Sequence, residues 1–134
     1  MTGKNVKAFC DSQQIPCKVV LDSSIALCIS QVDCVFVGAE AVLENGGIVN
    51  KIGTFTIALC AKAYNKPFYV FAESLKFIKR FPLQQSDIFD LLDEDLDEEH
   101  KIDVTNITVD YTAPEYISAL FTDIGIFTPA AVSD

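Results

Sequence analysis

Val35–Lys62, VFVGAEAVLENGGIVNKIGTFTIALCAK, is the stretch that decides how this 134-residue chain is read. It opens on the apolar run Val35-Phe36-Val37, which predicts the end of a buried strand. A turn of small residues, Gly38-Ala39, leads to an acid, Glu40. After a loop come Asn45-Gly46-Gly47, Asn50-Lys51 and Gly53-Thr54, and Thr56–Lys62 then has the composition of a helix. Strand, polar Gly-rich loop, helix is the layout in which α/β proteins hold anionic ligands. The helix start leaves backbone N–H groups and the positive end of its dipole facing the loop.

Working outward, the same rhythm repeats. The pattern predicts a helix over Gly3–Gln13, a strand over Lys18–Leu21, and a helix capped by Ser23-Ser24 and running to Gln31. Asp33–Val37 is the next strand, Thr54–Tyr64 a helix stopped by Asn65-Lys66-Pro67, and Phe68–Ala72 a third strand. Thr105–Val109 reads as a fourth strand from its β-branched content. Thr112 as cap and Pro114 in the first turn predict a last helix, with Tyr116, Ile117, Leu120, Phe121 and Ile124 as its stripe and Gly125 as its end; Ile126–Pro129 is extended. Strands written as continuous apolar runs, alternating with helices, imply an α/β fold: a three-layer, Rossmann-like open parallel sheet with helices on both faces. Length fits one domain.

The ligand crevice of such a sheet lies at the carboxyl ends of its strands. Asp22-Ser23-Ser24, Gly38-Ala39-Glu40 and Glu73-Ser74 are the expected polar strand ends, with Asp110-Tyr111-Thr112 as a fourth candidate. Within the central stretch Glu40 is suited to accept hydrogen bonds from ligand hydroxyls, Lys51 to neutralise a phosphate, and Asn50 to donate beside it. Gly46, Gly47 and Gly53 would let backbone approach closely. A purely structural Gly-rich turn accounts for the same residues. The spacing is neither the dinucleotide fingerprint nor the P-loop.

Composition narrows the function classes. The chain is 50% hydrophobic, yet no apolar run approaches the ~18 residues of a membrane helix. Met1–Lys4 lacks a signal core, so no secretory address is expected and a cytoplasmic setting is. A net charge of −9 argues against direct nucleic-acid binding. Five cysteines without a C-x-x-C pair, and one His100 among acids, give no zinc pattern. They read as small buried hydrophobes in a reducing compartment, with a single nucleophilic thiol as the sharper alternative. Lys76, Lys79 and Arg80 give Leu75–Phe81 a basic side, either a solvated face or a contact to a phosphate or acidic partner. Acids crowd Asp87–Glu99, within a loop spanning about 84–103, as a solvated loop or an acidic tether without calcium-loop spacing.

Three blocks carry a resemblance: VGAEAVLENGGIVNKIGT at 37–54, KAYNKPFYVFAES at 62–74 and VDYTAPEYISALFTDIGIFTP at 109–129. In this order they resemble the alpha, beta and delta regulatory subunits of eukaryotic translation initiation factor 2B, nearest to the alpha type. The superfamily also includes isomerases acting on methylthioribose 1-phosphate and ribose 1,5-bisphosphate. Their Gly-Ala-Asp motif reads Gly38-Ala39-Glu40 here, one methylene longer, and their upstream cysteine has no counterpart. The Asn50-Lys51 pair, which lies against the substrate phosphate in those enzymes, is kept. The resemblance therefore implies a vestigial sugar-phosphate or nucleotide site at Gly38, Ala39, Glu40, Asn50 and Lys51, no catalytic residues, no metal and no cofactor. It implies that residues 1–134 are the C-terminal α/β domain of such a subunit, preceded in the family by a helical domain and the first sheet strands. It implies a homodimer, the other subunits of the exchange-factor complex, and initiation factor 2 with a phosphorylated alpha subunit as partners. The alternative it leaves is an active aldose–ketose sugar-phosphate isomerase.

Overall fold

A computed structural model describes residues 2–79 and 108–132. The expected acidic loop, Arg80 and Phe81, and residues 105–107 of the expected fourth strand lie outside the described residues. In chain order the elements are α1 (Thr2–Ser12), α2 (Ile25–Ile29), β1 (Val35–Gly38), β2 (Ala41–Val42), β3 (Ile48–Lys51), α3 (Thr54–Ala63), β4 (Phe68–Phe71), β5 (Val109–Thr112), β6 (Ala119–Thr122), β7 (Gly125–Phe127) and α4 (Pro129–Val132). Short 3-10 turns at Asp22–Ser24, Ser74–Lys76 and Pro114–Tyr116 join them.

The expected parallel sheet is present and carries one antiparallel addition. Its order is β1-β4-β6-β7, with β1, β4 and β6 parallel and β7 antiparallel to β6. β2, β3 and β5 form a second, antiparallel sheet. The main core joins the two: Val42 and Ile48 pack with Ala58, Ala61, Phe68, Val70, Ile117 and Leu120. Ala58 and Ala61 stand three apart on α3, so one small-residue face lets that helix sit close to the sheet. α3 stops as the sequence predicts. Asn65 takes a left-handed φ of 54°, Lys66 N–H donates to Ala61 O at 2.8 Å, and Asn65 N–H to Lys62 O at 3.1 Å, which satisfies the last carbonyls.

Alternation along the strands separates two environments. Val70 and Leu120 are fully buried on the α3 side. On the other side Phe36 is 58% exposed and Phe71 48%, so the run Val35–Val37 is not buried throughout as its apolarity suggested. Phe36, Tyr69, Phe71 and Phe121 form one aromatic cluster there, with ring centroids 5.1 to 5.7 Å apart.

Three local expectations are corrected. Lys18–Leu21 forms no strand and is unpaired among the described residues, and Val19, Val20 and Leu21 are exposed. A strand needs a neighbour to complete its ladder, and apolar content alone does not supply one. The helix expected over 112–125 is instead a 3-10 turn followed by the hairpin β6–β7. The stripe Tyr116, Ile117, Leu120, Phe121 has two readings, since Leu120 and Phe121 fall on opposite sides of a strand and serve the two environments above. Ser118 and Thr122 fix the choice: Ser118 Oγ accepts Phe68 N–H at 3.0 Å, and Thr122 Oγ1 donates to Gly125 O at 2.7 Å across the hairpin turn. Ser23-Ser24 does not cap α2 through a side chain; Ser24 Oγ donates back to Leu21 O at 2.7 Å.

Candidate functional site

The stretch expected to be a strand, loop and helix contains a β-hairpin that its turn residues build. Asn45 Oδ1 accepts Gly47 N–H at 2.8 Å, and Leu43 N–H donates to Gly47 O at 2.8 Å. Asn45 Nδ2 donates to the Tyr111 hydroxyl at 2.7 Å, pinning the turn to β5. A Cβ on Gly47 would come within 2.6 Å of the Tyr111 ring, and one on Gly46 would strike the Pro129 carbonyl. Both glycines are buried. They admit the chain's own Tyr111 and Pro129, so the expectation that they open the loop to a ligand gives way to packing. Gly53, by contrast, has open space around its Cα.

The start of α3 is filled from within. Gly53 takes φ 106° as N-cap, and its N–H and that of Phe55 donate to Asp110 Oδ2 at 2.9 and 3.0 Å. Asp110 lies opposite Asn50 in the β3–β5 pairing and is only 8% exposed. Burial pushes its carboxyl above the usual range, opposed by the Phe55 and Gly53 N–H groups. Its second oxygen, Oδ1, is buried without a hydrogen-bond partner. Asn50 Nδ2 donates to Thr54 Oγ1 at 3.1 Å, and Thr54 Oγ1 to Lys51 O at 2.7 Å. The free helix-start N–H groups that the sequence pattern offered to an anion are thus partly taken by the protein's own carboxylate. Sequence reading placed Asp110 at a strand end and missed this role. The available signal was an acid inside a β-branched run, where burial demands a donor.

The five candidate residues divide between neighbouring positions. Gly38 ends β1 beside Phe71, with open space around it. Ala39 packs against the main core, and Glu40 is exposed. Glu40 N–H donates to Val49 O at 2.8 Å, so the hairpin sets Glu40 next to the residue preceding Asn50. Asn50 and Lys51 are consecutive in β3 and leave opposite faces of the small sheet. Asn50 faces Thr54 and α3, while exposed Lys51 starts on the face that carries Val49, Val109 and Tyr111.

The polar strand ends also sort themselves. Glu73-Ser74 does follow β4, and its neighbour is Asp123 at the end of β6, which sequence reading assigned to a helix. Ser74 N–H and Oγ donate to the two Asp123 oxygens at 2.6 and 2.9 Å and hold that carboxyl below its usual range. A cavity of about 440 Å³ lies there, lined by Phe71, Ala72, Glu73, Phe121, Thr122 and Asp123. Asp22-Ser23-Ser24 forms a 3-10 turn and Asp110-Tyr111-Thr112 lies inside β5, so neither is a carboxyl end of the parallel sheet. Among the described residues no three His, Cys, Asp or Glu side chains gather as a metal site, and no helix is long and apolar enough to cross a membrane.

A sequence model described as the Initiation factor 2 subunit family matches residues 1–129. The chain belongs to this family. Among relatives of this initiation factor 2 subunit family chain, the translation initiation factor eIF2B subunit alpha of Dictyostelium discoideum is 45% identical, over 99% of the chain and 46% of that protein. The methylthioribose-1-phosphate isomerase of Acaryochloris marina is 34% identical, over 93% of the chain and 38% of that protein. The crystal structure of a Pyrococcus horikoshii translation initiation factor eIF-2B superposes with a TM-score of 0.78 at 26% identity, covering 98% of this chain and 46% of that one. The chain therefore spans less than half the length of these family relatives, and the α/β fold expected from its sequence is that of the Pyrococcus structure.

Proposed function

We propose that the protein is a regulatory, non-catalytic subunit of the exchange factor for translation initiation factor 2, acting in the cytoplasm. It assembles with the other subunits of that complex, pairs with a second copy of itself, and helps sense the phosphorylated alpha subunit of factor 2. The observation that carries this reading is the 45% identity to an eIF2B alpha subunit across 99% of the chain. The half-exposed aromatic cluster of Phe36, Tyr69, Phe71 and Phe121 supports an assembly role, because apolar surface of that kind marks association sites.

Gly38, Ala39, Glu40, Asn50 and Lys51 form a vestigial site for a sugar phosphate or nucleotide in this reading. Three features count against turnover. Glu40 carries its carboxylate one methylene further out than an aspartate would. The Asn50 amide is engaged by Thr54, and Lys51 leaves the other face of β3. Proton transfer between neighbouring carbons of a sugar needs its acid and base held to a fraction of an ångström, which these positions do not favour.

Retention of factor 2 by the immobilised protein tests the regulatory reading: the phosphorylated form is expected to be held in excess, and equal retention of both forms contradicts it. A second reading, an aldose–ketose sugar-phosphate isomerase, is favoured by the 34% identity to a methylthioribose-1-phosphate isomerase. It requires ketose formation from an aldose 1-phosphate and its loss in Glu40→Gln.

A further inference from the structure

The parallel sheet ends in a crevice with an aromatic floor and an acidic rim. Phe71 closes β4 and Thr122 closes β6, and the chain leaves both strands on the same side, through Ala72-Glu73 and through Asp123. The cavity of about 440 Å³ sits at these carboxyl ends, where open α/β sheets leave room for a guest. Phe71 and Phe121 are paired across β4 and β6, and their rings stack at 5.1 Å. Phe36, 5.3 Å from Phe71, and Tyr69, 5.4 Å from Phe121, continue the same aromatic surface. Asp123 is fixed at the rim, because Ser74 donates to one of its oxygens from N–H and to the other from Oγ. A carboxylate oxygen has two lone pairs, so each keeps an acceptor position open. Among the described residues neither Asp123 nor Glu73 has a cationic partner.

We propose that this crevice receives the guanidinium of an arginine on a partner protein, laid against Phe71 and Phe121 and hydrogen-bonded to Asp123 and Glu73. Charge complementarity selects the sign of the guest. Two carboxylates repel the phosphate that the strand ends of such a sheet often hold, and the net charge of −9 attracts a cation. Shape selects arginine. A guanidinium is planar and weakly hydrated; it lies on a ring face and offers a carboxylate two parallel N–H donors, which an ammonium does not. The continuing aromatic surface selects a protein. A small cation fills the crevice but leaves Phe36, 58% exposed, in water, whereas a protein surface with apolar residues beside its arginine covers both. Ser74 already holds the Asp123 carboxylate in place, so little side-chain freedom is left to lose on binding. That the guest belongs to a protein rests on the proposed assembly role; the choice of cation does not.

The test is amide NMR of the isotope-labelled chain, titrated with N-acetyl-arginine amide and, as alternative cations, with N-acetyl-lysine amide and spermidine. Ser74 N–H bonds directly to Asp123 Oδ1, so its resonance reports on that carboxylate. The expected result is a saturable shift of the Ser74 and Asp123 amides with the arginine compound, and binding weaker by about threefold or more with the other two. Asp123→Asn, and separately Phe71→Leu, which keeps an apolar side chain at a half-exposed position, are each expected to weaken arginine binding by about threefold or more. Glu115→Gln removes an exposed acid outside the crevice and is expected to leave binding unchanged. No saturable shift at Ser74, shifts spread evenly over the chain's other acids, equal binding of all the cations, or full binding by Asp123→Asn each overturns the proposal. A chain that retains both forms of factor 2 equally would still show the arginine shift, so this proposal and the regulatory reading fail separately.

Discussion

Replacing Asp110 by alanine should destabilise the fold by an amount that can be worked from its bonds. Its Oδ2 holds two backbone donors at the start of α3, at 2.9 and 3.0 Å, in a position 8% exposed. A hydrogen bond to a charged group contributes about 1.5–3 kcal/mol, so two together give roughly 3–6 kcal/mol. Desolvation of the carboxylate, with Oδ1 unpaired, offsets about 1–3 kcal/mol of that. Taking the middle of each range leaves a net loss of about 2–3 kcal/mol, somewhat more than losing a helix cap costs. Urea unfolding followed by circular dichroism reads it as a fall in midpoint of about 1–1.5 M for a slope of about 2 kcal/mol per molar. Asp110→Asn keeps an acceptor and should lose less. Its pH dependence separates charge from shape. Because burial raises the native pKa above 3.8, the native state binds the extra proton between 3.8 and that raised value. The associated stability is present below pH 3.8 and lost as pH rises through the native value. The wild-type chain should therefore compare best with Asp110→Asn below pH 3.8 and worse toward neutrality. An alanine variant that unfolds at the wild-type urea concentration would refute the capping role.

Other substitutions probe the packing and the strand ends. Gly47→Ala puts a methyl 2.6 Å from the Tyr111 ring and should cost about 1–3 kcal/mol, read as a lower thermal midpoint. Leu120→Ala empties a fully buried site between the sheet and α3 and should cost about 2–5 kcal/mol by urea titration. Asp123 is held below pKa 3.8 by Ser74, so its contribution is present above pH 3.8 and lost as pH falls through the native value; Asp123→Asn should flatten that part of the acid-unfolding curve.

The sequence was readable where one signal dominates. α3 has a start at Gly53-Thr54, good helix formers through its middle and an Asn65-Lys66-Pro67 stop, and it lies where that pattern puts it. Phe68–Phe71 is bounded by Pro67 and polar Glu73-Ser74, and it is the centre of the parallel sheet. Residues 112–125 were ambiguous because a short apolar stripe satisfies both helical and strand periods, and Ser118 and Thr122 decide it through contacts distant in sequence. The β2–β3 hairpin was hidden in what looked like a ligand loop: Asn45-Gly46-Gly47 signals a turn whether the turn closes on a phosphate or on Tyr111. Of the candidate site, Glu40 and Asn50 are brought to neighbouring positions across the hairpin. The alternation of β3, invisible in a motif written as a string, sends Lys51 the other way.

The most direct measurement of a binding site that no longer turns over is phosphorus NMR of methylthioribose 1-phosphate incubated with the protein. The account predicts an aldose phosphate resonance that broadens on addition of the protein, recovers with Lys51→Ala, and never gives way to a ketose signal. Steady growth of the ketose resonance that stops in Glu40→Gln would contradict it.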